Sequence, residues 1–316
     1  MAQMAAGKGA TMDGQGRRKR RGRGTSLAGQ RYLAAVLLLV PAVALRLFTA
    51  FYPFVHTFYL ALTNYNPAFP PAQFIGFGNL KRMATDAAVT SSIAFTILFV
   101  LISTLLELVL GLAVGSLLNK PFKGRGVARA ANLIPWAMPM VVCALGFRWM
   151  FDGDYGIFPD LIWRVSGLRF PWLINSWGSR AAVIITNVWK STPFLGLVFL
   201  AALQGVPAEL YEAARVDGAN AWQSFRSVTL PLLLPQATTM GLFMLVWQLA
   251  SFDLIYTMTG GGPGFATQVL AYNIYQAAFG GLNFGYASAI SLALFAVVFV
   301  MGGLGLLLYR RVEVMF

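Results

Sequence analysis

Six apolar runs, each long enough to cross a lipid bilayer, constrain this chain more than any other feature of its sequence. A transmembrane helix needs about 20 mostly apolar residues to cross about 30 Å of hydrocarbon. Charged residues make up only 11% of the 316-residue chain, whereas average soluble domains use about 25%. The sequence therefore predicts an all-α integral membrane protein with six transmembrane helices. Their predicted bounds are 33–62, 88–118, 128–151, 181–204, 237–258 and 286–309.

The distribution of lysine and arginine predicts how these helices are oriented. Basic residues concentrate before the first span, in the links that follow the second and fourth spans, and after the last span. The link after the second span holds Lys120, Lys123, Arg125 and Arg129 without an acidic residue. Positive charge is enriched on the cytoplasmic side of a membrane. We therefore expect both the N-terminus and the C-terminus to be cytoplasmic.

The N-terminal residues 1–30 are predicted to form a disordered, basic cytoplasmic tail, and residues 31–316 a single six-helix transmembrane domain. A net charge of +13 in a soluble protein would suggest nucleic acid. Here the basic residues lie at the ends of apolar runs, so we expect contact with membrane lipid and no nucleic-acid partner. An export signal is disfavoured because the apolar stretch after the tail is too long and no small-residue cleavage site ends it.

The sequence offers little material for catalysis. The single histidine, His56, and the single cysteine, Cys143, are far apart and both lie inside apolar runs. We therefore predict no catalytic residue and no metal site. The chain also lacks the phosphate-binding pattern G-x-x-x-x-G-K-[ST], so it is expected to bind no cofactor itself. A transporter driven by an ion gradient stays an alternative, although neither ion relays nor an internal repeat is visible.

The link between the fourth and fifth spans, about residues 205–236, is long and carries helix signals. Pro207 is predicted to occupy the first helical position, and Gly218 to end that helix in a left-handed turn. Asn220 and Gln223 are spaced as a cap for a second helix, which Pro231 is expected to stop. Two short helices with apolar side chains outside the bilayer need a partner surface to bury them.

The residues of this link resemble a known motif. Glu212-Ala213-Ala214, then Gly218 after three residues, then 228–231 (Val-Thr-Leu-Pro) after nine more resemble the EAA loop of ABC importer permeases, E-A-A-x3-G-x9-I-x-L-P. Val228 replaces the usual isoleucine. Four other stretches resemble the carbohydrate branch of that family, the maltose and glycerol-phosphate type. They are 74–80 (FIGFGNL), 155–157 (YGI), 252–253 (FD) and 259–263 (TGGGP).

The resemblance, which runs from about residue 33 to the C-terminus, implies a type I ABC importer permease in a bacterial or archaeal inner membrane. Implied partners are a second homologous permease, two ATP-binding cassette subunits holding ATP and Mg²⁺, and an external sugar-binding protein. The cargo would be a di- or oligosaccharide or a related polyol, with glycerol-phosphate compounds as the alternative. The residues implied to couple to the ATPase are Glu212, Ala213, Ala214, Asp217, Gly218, Leu230 and Pro231.

Polar and aromatic residues within the fourth and fifth spans are candidates for the substrate path. A charge inside a span costs about 2.5–3.5 kcal/mol on insertion scales and is a functional candidate by default. Lys190 and Asp253 either contact a sugar or form an ion pair between helices, and Arg46 and Glu107 are candidates for a structural pair. Aromatic rings beside polar groups suit the apolar faces and hydroxyls of a sugar. The predicted path residues are Asn187, Trp189, Lys190, Trp247, Gln248, Phe252 and Asp253.

Overall fold

The computed structural model describes residues 27–314, which are helical apart from turns, loops and one isolated bridge between Thr63 and Phe74. The chain divides into two compact units, Met1–Pro53 and Phe54–Phe316. Most of the predicted tail lies outside the described residues, and its disorder stays a prediction. An all-helical fold was predicted and is confirmed for the described part of the chain.

The first unit is helical throughout its described length. Helix α1 (Leu27–Arg46) passes through a π-helical turn (Leu47–Phe51) into α2 (Tyr52–Ala61). The hydroxyl of Thr49 donates to the carbonyl oxygen of Leu45 at 2.8 Å, so this polar side chain is satisfied within its own helix. A helix of this composition is suited to lipid, where intrahelical bonds must satisfy the backbone.

The second unit is built from helices of very different length. Long helices alternate with short ones because glycine, proline and capping residues divide the intervening sequence. The remaining elements are α3 (Gly78–Thr85), α4 (Ala87–Asn119), α5 (Arg125–Asn132), α6 (Ile134–Ala137), α7 (Met140–Met150), α8 (Ile157–Ser166), α9 (Ser176–Gln204), α10 (Ala208–Val216), α11 (Ala221–Ser224), α12 (Leu230–Leu249), α13 (Asp253–Met258), α14 (Leu270–Tyr275) and α15 (Phe284–Val314).

Five described helices are long and apolar enough to cross a membrane, and a sharply bent pair brings the number to as many as six. The bent pair corresponds to the predicted span 128–151. The five are Ala34–Ala61, Ala87–Asn119, Ser176–Gln204, Ala221–Leu249 and Phe284–Arg311.

The third predicted span is not one straight helix. The segment Arg125–Ala137 meets α7 at an angle of 91°. Met138 is extended (ψ 143°) and Pro139 follows it without entering a helix. A residue before proline is driven out of the helical region by the proline ring, so the chain must turn at Met138. The prediction of a continuous helix over 128–151 was wrong for this reason.

The helix that covers the fifth predicted span, 237–258, begins before residue 237 and ends before residue 258. Helix α12 stops at Leu249, and the chain leaves helical geometry before α13 begins at Asp253. Phe252, immediately before α13, has φ −127° and ψ −49°. At its other end the helix extends back to Ala221 without interruption. The break separates Asp253 from the helix that the sequence assigned to it.

Helices α4 and α9 pack closely against each other, and glycines make the approach possible. A Cβ added at Gly111 would lie 2.6 Å from the Cβ of Leu195, and one at Gly115 would lie 2.8 Å from the carbonyl oxygen of Gly196. In the reverse direction, a Cβ at Gly196 would lie 2.7 Å from Cγ1 of Val114. Small residues four apart let helix backbones pack closely in lipid, where van der Waals contact drives association.

Asp86 caps α4 and ties its first turn to α15. One carboxylate oxygen accepts the backbone N–H of Ala88 at 2.9 Å, and the other accepts the hydroxyl of Tyr286 at 2.6 Å. Burial raises the pKa of Asp86, but hydrogen bonds from Tyr286, Ala88 and Val89, together with the charge of Arg82, outweigh it and hold the pKa below its usual value. The ionised cap also suits the positive end of the helix.

The glycine-rich loop 260–264 is non-helical, as predicted. Gly260, Gly261 and Gly264 have φ of 58°, 83° and 56°, which other residues rarely adopt. The hydroxyl of Thr267 donates to the carbonyl oxygen of Gly262 at 2.7 Å, and Nε of Arg180 donates to that of Ala266 at 2.8 Å. These bonds fix the segment that follows α13 against α9.

Candidate substrate cavity and coupling loop

A cavity of about 640 Å³ lies beside α9, the end of α12 and the start of α13. This volume falls within the roughly 300–1,000 Å³ of small-molecule sites. Five of the seven predicted path residues line it together: Asn187, Lys190, Trp247, Gln248 and Asp253. Trp136 also lines it, so the cavity combines two indole rings with amide, ammonium and carboxylate groups.

Two interruptions of helix geometry form the walls of this cavity. Met138, Pro139 and Met140, at the 91° bend, line one side. Ala250 and Ser251, in the break after α12, line another. Irregular backbone at membrane depth is tolerated where it lines a cavity, because the freed polar groups then have water or substrate to bind. The sequence predicted the polar residues but placed both breaks inside continuous helices.

Lys190 and Asp253 do not form the ion pair that the sequence left open. The ammonium of Lys190 donates to the carbonyl oxygen of Trp136 at 3.0 Å, and the carboxylate of Asp253 accepts the N–H of Leu254 at 3.1 Å. Arg164 and Asp160, outside this cavity, do form an ion pair, at 2.8 Å. Each cavity charge is thus held by a backbone group and keeps further hydrogen-bonding capacity.

Because the two charges are held separately, we expect each to contribute independently to uptake. Asp253→Asn and Lys190→Met should each lower the substrate uptake rate about tenfold, since each removes a charge-assisted hydrogen bond. Radiolabelled uptake, corrected for the amount of assembled complex, measures this. Asp154→Asn, at an exposed residue outside the cavity, is the matched control. Unchanged uptake in either cavity variant would remove that residue from the path.

The structure directs the other two predicted path residues, Trp189 and Phe252, away from this cavity. The Trp189 ring packs against Phe147 at 5.1 Å between centroids, on a different side of α9 from Lys190. Consecutive helical residues point about 100° apart, so Trp189 and its neighbour Lys190 can face different surroundings. Phe252 packs against Tyr275 at 4.8 Å and Tyr256 at 5.3 Å. Neither residue lines this cavity, and their place on the substrate path stays a prediction.

Sequence reasoning marked Glu107 as a charge within a span but missed the partners that hold it. Its side chain is 0% exposed. Nδ2 of Asn187 donates to Oε1 at 2.9 Å, and Nε2 of Gln248 donates to Oε2 at 2.8 Å. Glu107 on α4 thus joins α9 and α12 directly behind two residues of the cavity wall. The partners are 80 and 141 residues away along the chain, so no local pattern indicates them.

In the coupling loop, residues 205–236, the predicted bend is present. Helix α10 begins after Pro207, which caps it rather than occupying its first turn, a shift of one residue from the prediction. Gly218 has φ +80°. The N–H of Ala219 donates to the carbonyl oxygen of Ala214 at 2.9 Å, and that of Gly218 to Arg215 at 3.0 Å. These two bonds define a Schellman motif, which needs a left-handed residue at the position of Gly218.

The second loop helix is capped as predicted but does not stop as predicted. The Asn220 side chain accepts the N–H of Gln223, whose side chain accepts the N–H of Asn220 in return. The helix then passes through a π-helical turn (Phe225–Thr229) into α12, so Pro231 does not end it. A wider turn absorbs the bond that a proline cannot donate. The second helix is therefore continuous with the fifth apolar helix.

The coupling loop is internally braced and largely exposed. The hydroxyls of Tyr211 and Thr229 are 3.0 Å apart, which joins α10 to the π-helical turn. Glu212, Ala213, Asp217, Gly218 and Leu230 are exposed, whereas Ala214 and Pro231 are half-buried. Val216 is 87% exposed and Trp222 68% exposed. A braced element that exposes apolar side chains is suited to docking on another protein.

Comparison with known proteins gives the family. Residues 107–314 match the model of the family described as binding-protein-dependent transport system inner membrane component. The sulfoquinovosyl glycerol transport system permease of Agrobacterium fabrum is 37% identical over 84% of this chain and 86% of its own. The trehalose/maltose transport system permease of Thermococcus litoralis is 37% identical over 83% of this chain and 88% of its own.

A solved structure agrees at the level of the fold. A chain from a bacterial alginate ABC transporter, crystallised with a periplasmic protein bound to alginate pentasaccharide, matches with a TM-score of 0.76 and 21% identity. The match covers 90% of this chain and 96% of that one. On the family match and the two relatives, this protein belongs to the binding-protein-dependent transport system inner membrane components, the permeases of ABC importers.

Proposed function

We propose that this chain is one membrane-spanning subunit of an ATP-driven importer for a sugar or a related polyol. The observation that carries the proposal is the combination, in one chain, of a polar cavity of about 640 Å³ with a braced, exposed coupling loop. The relatives named for sulfoquinovosyl glycerol and for trehalose and maltose support the cargo class. The subunit itself is a transport component, and ATP hydrolysis with Mg²⁺ belongs to a partner.

The proposed arrangement has six spans, with both termini and the coupling loop on the cytoplasmic side. The bent pair around Met138 counts as the third span, and the basic links support the orientation. A second homologous permease would complete the pathway, two ATPase subunits would receive the coupling loops, and an external binding protein would deliver the sugar. The proposed docking residues are those of the EAA pattern, Glu212 to Gly218, with Leu230 and Pro231 behind them.

Co-purification and uptake test this proposal together. The chain, tagged and purified from its native membrane, is expected to bring down a second permease and an ATPase. Reconstituted with its binding protein, the complex is expected to import radiolabelled trehalose, maltose or sulfoquinovosyl glycerol only when ATP is present inside. Uptake driven by an ion gradient without an ATPase would establish the secondary-transporter alternative. ATP-driven uptake of glycerol-phosphate compounds in place of all three sugars would redirect the cargo assignment.

A further inference from the structure

The wall of the cavity contains two amides whose orientation is set from behind. Asn187 and Gln248 both line the cavity, and both give an amide N–H to Glu107, at 2.9 and 2.8 Å. Nε2 of Gln248 also donates to Oγ1 of Thr104 at 3.2 Å. Both N–H groups of Gln248 are therefore used on the α4 side.

A carboxylate is the group that can fix both amides at once. Each of the two carboxyl oxygens of Glu107 receives one amide N–H, Oε1 from Asn187 and Oε2 from Gln248. Neither amide can rotate by 180° without turning its carbonyl oxygen against a carboxylate oxygen. The carbonyl oxygens are therefore held on the opposite side of each amide, away from Glu107.

One of these carbonyl oxygens lacks a partner within the described chain. Gln248 is only 3% exposed, yet no described residue donates to its Oε1. A buried polar atom without a partner costs about 1–3 kcal/mol, so it is seldom left unpaired without a use. Because Gln248 lines the cavity, a hydroxyl of a bound molecule is a suitable donor.

We propose that Glu107 is a positioning residue, which holds Asn187 and Gln248 with their amide nitrogens towards Glu107. Their amide oxygens are then free to accept hydroxyl hydrogens from a neutral polyol. The inference rests on the proposed function and narrows its cargo. Asp253 adds a further acceptor to the same cavity. These acceptors pair with hydroxyl hydrogens, which an ionised phosphate or sulfonate group does not supply, so this part of the wall favours hydroxyl groups.

Glu107→Gln tests the proposal with almost no change of shape. The new side chain has one oxygen and one NH₂ group, so one of the two amides must turn and present its own NH₂ to the cavity. In proteoliposomes with saturating loaded binding protein, we expect normal assembly and ATP hydrolysis within about twofold. The number of trehalose or maltose molecules imported per ATP should fall about tenfold, as expected for one reversed hydrogen bond.

Two further variants separate positioning from a merely structural role. The exchange Glu107→Gln with Gln248→Glu restores a donor facing an acceptor at both contacts and keeps an acceptor towards the cavity, so the import ratio should return to within about threefold of wild type. If Glu107→Gln alone fails to assemble, the exchange variant still tests whether correct pairing supports import. Thr96→Val is the matched control, because buried Thr96 on the same helix accepts the N–H of Leu270 at 2.9 Å. Loss of this hydrogen bond should lower the thermal stability of the complex but leave the number of sugar molecules imported per ATP unchanged.

The results of these experiments separate the neutral-polyol assignment from the positioning role of Glu107. A wild-type complex that imports sulfoquinovosyl glycerol or a glycerol-phosphate compound, but neither trehalose nor maltose, overturns the neutral-polyol assignment and with it this role of the amides. Import by wild type with an unchanged ratio in Glu107→Gln overturns the positioning role alone. An exchange variant that assembles but keeps the lowered ratio also overturns it, because correct pairing would then not restore the wall.

Discussion

Gly218→Val is expected to reduce ATP-dependent uptake at least about tenfold while leaving the apolar helices folded. Gly218 has φ +80° and forms the Schellman motif that ends α10. A non-glycine residue in this region costs about 1–2 kcal/mol, and a β-branched one is a genuine outlier there. The strain can be relieved only by changing the bend between α10 and α11, which sets the angle of the proposed docking surface.

The chain offers a closely matched control for this substitution. Gly124 has φ +83°, and an added Cβ at either Gly124 or Gly218 would meet nothing within 4 Å. Gly124→Val therefore introduces the same backbone strain before α5, outside the coupling loop. Uptake and the amount of ATPase retained per permease should fall for Gly218→Val and change by less than about twofold for Gly124→Val. Equal effects of the two variants would show that the loop bend has no special role in coupling.

Gly115→Leu is expected to destabilise the transmembrane bundle more than any other glycine substitution proposed here. An added Cβ at Gly115 would lie 2.8 Å from the carbonyl oxygen of Gly196 and 3.0 Å from the backbone nitrogen of Leu200. These are backbone atoms, so a larger side chain must push α4 away from α9. Overpacking typically costs 1–3 kcal/mol and occasionally more, and we expect about 3 kcal/mol here.

The same change in another apolar helix controls for hydrophobicity. Gly303 on α15 is exposed, and an added Cβ there would meet nothing within 4 Å. Gly303→Leu should leave the midpoint of thermal aggregation in detergent unchanged, whereas Gly115→Leu should lower it by several degrees. A normal midpoint for Gly115→Leu would mean that α4 and α9 do not depend on this close approach.

Features that rest on local sequence were predictable. The bend at Gly218 and the Asn220–Gln223 cap depend on residues within one or two helical turns. The apolar helices around residues 88–118 and 286–309 were predictable because length and hydrophobicity alone decide what can span lipid. The glycine pair at 111 and 115 matches a close-packing motif, but its partner on α9 is distant in sequence and no local pattern indicates it.

Features that rest on contacts between distant segments were not predictable. Trp189 and Lys190 are adjacent in sequence, yet only Lys190 faces the cavity, because helix rotation is set by packing against α4 and α7. The break after Leu249 contains no proline to indicate it. Pro231 was predicted to end a helix, but the preceding π-helical turn lets the helix continue through it. In each case, tertiary packing outweighs the local preference.

The sequence by itself determined that this chain is a helical membrane protein with an EAA loop, because hydrophobic length and short-range capping are written in consecutive residues. Tertiary structure decided what the polar residues inside the helices do. It brought Glu107, Asn187 and Gln248 together from three helices, and it opened the cavity at two helix breaks. Those outcomes depend on how helices rotate and pack, which consecutive residues do not encode.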